Sequence, residues 1–210
     1  MLTLHHLSYS RSLRVLWLLE ELGVDFNLVS YARTEEFRAP PELARIHPLG
    51  KAPVIVDGDL TLAESATILR YINEKYGAGR LMPVPDTNAH AIAESWLDYV
   101  ESSAALPIMI TLMGEKTGGL NEQLQAFAEK QLGTTFAYIA AEIGNRPFLT
   151  GEQLTLADIQ ISYLLVAAGQ AGMLHDQPVI AAYLARLQQQ PGYVRAVARG
   201  GPMAPPGAGQ

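Results

Sequence analysis

The chain has 210 residues, of which 49% are hydrophobic and 17% charged, and it carries a formal net charge of -6. This composition is typical of a folded globular protein and excludes a disordered chain. The negative charge disfavours nucleic acid as a partner, because no basic run or stripe offsets it. The chain has no cysteine, which excludes disulfides, thiolate-bound metals and a cysteine nucleophile. Any sulfur chemistry must therefore use the sulfur of a ligand.

Membrane insertion and metal binding are both disfavoured by the sequence. No segment reaches about 18 uninterrupted apolar residues, and the amino terminus lacks the pattern of a secretion signal, so we expect a cytoplasmic protein with no membrane contact. The histidines do not have the paired spacing of metal ligands, so we expect no metal. They are His5, His6, His47, His90 and His175.

The first part of the chain predicts a small mixed sheet with helices on its faces. Helical spacing of apolar residues ends at Gly23, and Asp57-Gly58-Asp59 is a strong tight-turn signal between two short apolar runs. In chain order the predicted elements are a strand (2–7), a helix (13–22), a strand (26–31), an irregular or helical segment, hairpin strands (54–56 and 60–62) and a helix (64–76). We therefore expect an α/β domain over residues 1–80.

Beyond a stretch rich in glycine and proline, residues 77–85, the pattern is helical throughout. The predicted helices cover residues 89–113, 121–143, 156–171 and 179–189. They indicate an all-helical domain over residues 86–200. Residues 201–210 are mostly Gly, Pro and Ala and have little apolar surface, so we expect them to form a flexible tail.

Two positions around the predicted hairpin could bind a peptide-like ligand. A cis bond between Ala52 and Pro53 would turn the backbone of Ala52 outward, where it could pair with an extended peptide. Glu64 and Ser65 open a helix, whose unpaired N–H groups and positive dipole end attract a carboxylate. The alternatives are a trans proline at a strand edge and a serine that only caps its helix.

A third polar group, Tyr9-Ser10-Arg11-Ser12, lies in the loop between the first strand and the first helix. Its hydroxyls and its cation lie beside the positive end of that helix. A thiol has a pKa near 8.5, and such surroundings can lower it to roughly 3.5 to 7.5. A ligand thiol held there would be mainly thiolate at neutral pH. The alternative is that the serines cap the helix and Arg11 is solvated.

These pieces, in this order, resemble the glutathione transferase superfamily over about residues 1–195. The strings that carry the resemblance are SRSLRVLWLLEELGVDF, FRAPPELARIHPLGKAPVIVDGDLTLAESATILRYI and FLTGEQLTLADI. The second string looks closest to a branch found in fungi and bacteria. The resemblance implies a thioredoxin-like domain followed by a helical bundle, and an enzyme that directs the glutathione thiolate at small apolar electrophiles.

The resemblance also implies roles for single residues. Ala52 would pair with the cysteinyl backbone of glutathione and Pro53 would be the cis proline, although the family often has valine in place of Ala52. The γ-glutamyl end would bind Glu64 and Ser65, and the glycyl carboxylate would bind Lys51 and His47. The catalytic hydroxyl would come from Ser10, with Tyr9 as the second candidate, and Arg11 would assist.

The helical domain offers an electrophile pocket, for which Tyr99, Met109 and Met113 are candidates, although most apolar stripes of this kind are core. Thr155 and Asp158 have the spacing of a capping box and are assigned to folding. The resemblance further implies a homodimer. Two other functions stay open: a glutathione-dependent peroxidase or disulfide reductase, and a glutathione-binding or partner-binding protein without turnover.

Overall fold

A computed structural model describes residues 1–205 of the chain. Four strands form one mixed sheet in the order β2-β1-β3-β4. Strand β1 runs parallel to β2 and antiparallel to β3, and β3 and β4 form the predicted antiparallel hairpin. The strands are β1 (Thr3–Leu7), β2 (Asn27–Tyr31), β3 (Val54–Asp57) and β4 (Leu60–Ala63).

Helices make up the rest of the regular structure. In chain order they are α1 (Ser12–Leu22), α2 (Glu42–Ile46), α3 (Ser65–Gly77), α4 (Asn88–Tyr99), α5 (Ala105–Thr117), α6 (Glu122–Ile143), α7 (Leu156–Gln170), α8 (Pro178–Gln188) and α9 (Pro191–Gly200). Within residues 1–205, each helix is either too short or too polar to cross a bilayer. The predicted fold class, an α/β part and an all-helical part, is confirmed.

The described chain divides into two compact units. The first contains Met1–Met82 together with the described residues from Leu187 onward, and the second contains Pro83–Arg186. The predicted helical domain, 86–200, extends past this division. The limits of the domains, 1–80 and 86–200, stay a prediction.

Helix α9 belongs to the first unit because it packs on α1. The rings of Trp17 and Tyr193 meet edge to face, with centroids 5.2 Å apart. A Cβ atom at Gly192 would lie 3.0 Å from the Cα atom of Glu21 and would displace the Glu21 side chain, so the two helices approach closely there. Sequence periodicity did not predict α9, which begins with Pro191 at its first position.

Two further differences concern the second unit and the tail. A π-helical turn, Val100–Ala104, interrupts the single helix predicted over residues 89–113. The sequence did not predict this interruption, because one inserted residue hardly disturbs an apolar pattern. In the predicted flexible tail, Met203 and Ala204 are buried. Residues 206–210 of that tail lie outside the described part.

The start of α7 has the predicted capping box. Asp158 is buried there and accepts from the Thr155 N–H at 2.7 Å, the Leu149 N–H at 2.8 Å and the Tyr183 hydroxyl at 2.6 Å. Burial raises the pKa of the Asp158 carboxyl, and these donors oppose the rise. The capping box holds the loop before α7 in place, which is the structural role predicted for Thr155 and Asp158.

Candidate functional site

The loop between β1 and α1 turns sharply because Tyr9 has a left-handed backbone, with φ of 55°. This turn sends Ser10 inward, where 6% of it is exposed. The Ser10 hydroxyl lies 2.8 Å from the Leu7 carbonyl and 2.7 Å from the Ser12 hydroxyl, and it accepts from the Ser12 N–H at 3.2 Å. Arg11, at the N-cap of α1, is partly exposed. Ser10 therefore lies at the positive end of α1, inside a network of hydrogen bonds.

The network continues from Ser12 to His6. Ser12 Oγ lies 2.8 Å from His6 Nδ1, and His6 Nε2 lies 2.9 Å from the carbonyl oxygen of Gly200. Ser12 and His6 are both buried. Burial lowers the pKa of His6, and the hydrogen bond with Gly200 opposes this. No role for His6 was predicted from the sequence.

Tyr9 lies beside a second loop, which follows β2. Arg33 joins the two loops by donating from Nε to the Ser8 carbonyl at 2.9 Å, from Nη2 to the Tyr9 carbonyl at 2.7 Å and from Nη1 to the Phe37 carbonyl at 3.0 Å. The rings of Tyr9 and Phe37 stack with centroids 6.0 Å apart. The guanidinium group of Arg33 thus fixes the backbone around Tyr9, a role that the sequence did not predict.

The segment before the hairpin has the expected cis peptide bond between Ala52 and Pro53, so that prediction is confirmed. Pro53 is buried, Ala52 is partly exposed and Lys51 is exposed. Within residues 1–205, the backbone N–H and C=O of Ala52 have no hydrogen-bond partner. His47 ends α2, and its Nδ1 accepts from the Leu49 N–H at 3.3 Å, which leaves Nε2 as the donor of the neutral ring.

Glu64 and Ser65 are at the start of α3, as predicted. Glu64 is exposed and has a positive φ of 71°, and Ser65 is the first residue of the helix. Arg14, which is wholly buried, donates from Nη1 to Ser65 Oγ at 3.1 Å. This places a guanidinium behind the positive end of α3, and both favour a bound carboxylate. The sequence signal for Arg14 was a cation inside the apolar stripe of α1.

The three candidates for an electrophile pocket lie in the second unit. Tyr99 is partly buried and meets the rings of Trp96 and Tyr138, each at a centroid distance of 5.1 Å. Met109 and Met113 are on α5, where Met113 is 59% exposed. Tyr99 thus belongs to an aromatic cluster, whereas Met113 offers an apolar side chain to solvent.

Comparisons with known families account for both units. Residues 1–74 match the family model for the glutathione S-transferase N-terminal domain, and residues 105–194 match the model for its C-terminal domain. Among residues 1–205, no group of three or more His, Asp or Glu side chains is arranged to hold a metal ion.

Individual proteins resemble the chain over most of its length. Glutathione S-transferase 1 of Saccharomyces cerevisiae is 30% identical over 90% of this chain and 91% of its own. Glutathione S-transferase 3 of Schizosaccharomyces pombe is 31% identical over 85% of this chain and 78% of its own. A crystal structure of a glutathione S-transferase from Actinobacillus pleuropneumoniae is 35% identical, with a TM-score of 0.86 and coverage of 97% of this chain and 95% of that one.

Proposed function

Because the chain belongs to the glutathione S-transferase family, we propose that it is an enzyme that binds glutathione on its first unit and directs the thiolate at small apolar electrophiles. The observation that carries this proposal is the unpartnered backbone of Ala52 next to a cis proline. A free N–H and C=O on one residue suit the backbone of a peptide, which would bind as an added strand does.

The two ends of glutathione carry carboxylates, and the first unit offers a cationic group for each. The γ-glutamyl end binds Ser65 and Glu64 at the start of α3, where Arg14 adds positive charge behind the serine hydroxyl. The glycyl carboxylate binds Lys51 and the Nε2 of His47. A carboxylate gains from the contacts with Ser65, Lys51 and His47, because a charged group strengthens the hydrogen bond, whereas the Glu64 carboxylate accepts from the ammonium group of the γ-glutamyl end.

The thiol of such a ligand lies at the entry to α1. The positive end of the helix, a hydroxyl from Ser10 or Tyr9, and Arg11 all favour the anion over the neutral thiol. Ser10 is supported by its position at the helix start, although its hydroxyl already has internal partners. Tyr9 is supported by its partial exposure and by a hydroxyl with no partner within residues 1–205. We keep Ser10 as the first candidate.

The electrophile is a small apolar molecule that binds beside Tyr99, Met109 and Met113 and accepts the thiolate on an electrophilic carbon. Methionine side chains adapt to varied shapes, which suits an enzyme that acts on several electrophiles. The product is a thioether conjugate of glutathione, which serves detoxification. We propose further that the enzyme is cytoplasmic, uses no metal and works as a homodimer.

Binding and turnover need separate measurements. Calorimetry with glutathione measures the affinity, and three substrates measure the reaction: a model aryl halide, cumene hydroperoxide and a small disulfide. Conjugation of the aryl halide supports the proposal. Turnover of the peroxide or the disulfide alone identifies a peroxidase or a reductase. Binding without any turnover identifies a binding protein, and the absence of binding contradicts the whole proposal.

A further inference from the structure

A continuous chain of hydrogen bonds runs through the first unit from the entry of α1 to the end of α9. It joins Ser10 Oγ to Ser12 Oγ at 2.7 Å, Ser12 Oγ to His6 Nδ1 at 2.8 Å, and His6 Nε2 to the Gly200 carbonyl at 2.9 Å. The three side chains are 6%, 0% and 1% exposed. The proposed mechanism uses only the first of them, which leaves a buried histidine and a buried serine without a role.

The direction of the protons along this chain follows from its last member. A carbonyl oxygen can only accept, so His6 Nε2 carries a hydrogen. In the neutral ring Nδ1 must then accept, and its donor is the Ser12 hydroxyl. Ser12 Oγ also accepts from the Leu7 N–H at 3.1 Å, and it retains a lone pair for the Ser10 hydroxyl. The Ser10 hydroxyl also donates to the Leu7 carbonyl at 2.8 Å, so all the protons point inward, from Ser10 toward Gly200, when this hydroxyl turns from Leu7 to Ser12.

Close backbone packing holds the far end of the chain in place. A side chain at Gly200 would put a Cβ atom 2.9 Å from His6 Nε2 and 2.6 Å from Leu16 Cδ2. Contacts that short do not occur, so a side chain at this position would force Leu16 or His6 to shift. The carbonyl of Gly200 fixes which nitrogen of His6 carries the hydrogen, and through it the orientation of Ser12.

We propose that His6 and Ser12 are positioning residues for the Ser10 hydroxyl, and that His6 takes up the proton of the glutathione thiol through them. This inference rests on the proposed function, since it requires a thiol bound at Ser10. The thiol S–H bond breaks as its proton passes to Ser10 Oγ, the former Ser10 proton passes to Ser12 Oγ, and the former Ser12 proton passes to His6 Nδ1. The products are a thiolate and an imidazolium, and no atom or charge is gained or lost.

The arrangement after the transfer suits both products. The Ser10 hydroxyl now donates to the thiolate, Ser12 donates to Ser10, and His6 Nδ1–H donates to Ser12 while Nε2–H stays on Gly200. Burial lowers the pKa of His6, which favours the neutral ring, and a neutral ring is the state that the transfer requires. The negative thiolate at the other end then offsets part of the cost of the buried cation.

The test compares thiolate formed with protons released. Ultraviolet absorbance measures the thiolate in the complex, and calorimetry in two buffers of different ionisation enthalpy measures the protons that reach the solvent. The variants are His6→Asn, whose amide oxygen can accept from Ser12 but takes no proton, and Ser12→Ala, which breaks the chain. The matched control is His5→Asn on the same strand, because His5 bonds to the hydroxyl of Tyr31 instead.

We expect the wild-type protein and His5→Asn to release fewer protons than the thiolates they form. In His6→Asn and Ser12→Ala we expect glutathione affinity to be retained, the bound thiol's pKa to rise, and each remaining thiolate to release a full proton. A purely structural role for His6 would lower affinity and stability without changing the ratio. Equal numbers of protons and thiolates in the wild-type protein overturn the inference even if glutathione binds. Absence of glutathione binding overturns the proposed function as well.

Discussion

Arg14 on α1 donates from Nη1 to the Ser65 hydroxyl on α3 at 3.1 Å, and both side chains are buried. Ser65 Oγ therefore accepts a charge-assisted hydrogen bond, which polarises its O–H and makes it a stronger donor. The pair joins a cation, a hydroxyl and a positive helix end at the proposed γ-glutamyl site.

The first prediction concerns this hydroxyl. Ser65→Ala removes a hydrogen bond to a carboxylate, which costs roughly 1.5 to 3 kcal/mol, or about ten-fold or more in affinity. Calorimetry with glutathione measures the change. Thr67→Ala is the matched control, since Thr67 is exposed on the same helix. Unchanged affinity in Ser65→Ala would show that the γ-glutamyl end does not bind Ser65.

The second prediction distinguishes the two candidate hydroxyls. If Ser10 donates to the thiolate, Ser10→Ala raises the pKa of the bound thiol and lowers turnover at neutral pH, while Tyr9→Phe does less. Each unit of rise corresponds to about 1.4 kcal/mol of lost stabilisation of the anion. Ultraviolet titration of the complex measures the pKa. A larger pKa shift in Tyr9→Phe would show that Tyr9 donates to the thiolate. If neither variant shifts the pKa, the backbone amides and Arg11 stabilise the thiolate instead.

The third prediction concerns Arg33. A lysine at this position cannot reach three carbonyls at once, so Arg33→Lys loses most of the link between the loops of Tyr9 and Phe37, worth about 1 to 3 kcal/mol. We expect faster amide hydrogen exchange in residues 32–38 and a several-fold lower kcat/KM. Arg38→Lys is the control, since Arg38 is exposed in the same loop. Equal amide hydrogen exchange in Arg33→Lys and Arg38→Lys would contradict the proposed role of Arg33 in joining the two loops.

The fourth prediction concerns Asp57, which joins the hairpin to α3. Its Oδ2 accepts from Lys75 Nζ at 2.6 Å, from the Tyr76 hydroxyl at 2.6 Å and from the Tyr71 hydroxyl at 2.7 Å. These donors hold the pKa of Asp57 at about 2. Because the folded-state pKa lies below the unfolded one, the stabilisation is complete above about pH 4 and is lost as the pH falls toward 2.

Asp57→Asn removes the titrating charge, so its free energy of unfolding should lack this acid dependence. Urea denaturation at a series of pH values measures the difference between the variant and the wild type. Asp59→Asn is the control, since Asp59 is exposed in the same turn. If both variants change stability equally at every pH, the cluster around Asp57 contributes nothing specific.

The fifth prediction concerns assembly. Most soluble oligomers are two-fold symmetric, so the proposed homodimer should have an isologous interface. Light scattering at micromolar concentration should give twice the chain mass of 22.8 kDa. A mass equal to that of one chain would refute the dimer.

The local elements of the fold could be predicted from the sequence. The turn at Asp57-Gly58, the glycine stop after α1 and the serine at the start of α3 each depend on residues within a few positions of one another. The cis bond before Pro53 came from the resemblance and is confirmed. Local conformational preference and a family pattern were sufficient for these features.

The partners of the site residues could not be predicted in the same way. Arg14 and Ser65 are 51 positions apart, and His6 and Gly200 are 194 apart, so no local period connects them. Arg33 shows no periodic signal either, because it binds backbone carbonyls, which every residue carries. The inward turn of Ser10 depends on the left-handed backbone of Tyr9, a conformation that tyrosine rarely adopts and that the sequence does not predict.

Helix α9 makes the first unit discontinuous in the chain, and this affects the order of events on the ribosome. Residues 1–82 emerge before the second unit, but Tyr193 and Gly200, which contact Trp17 and His6, emerge only after the whole second unit has been synthesised. Domains generally fold as units when their full length has been made. The second unit, which is continuous, therefore has its full length available before the first unit does.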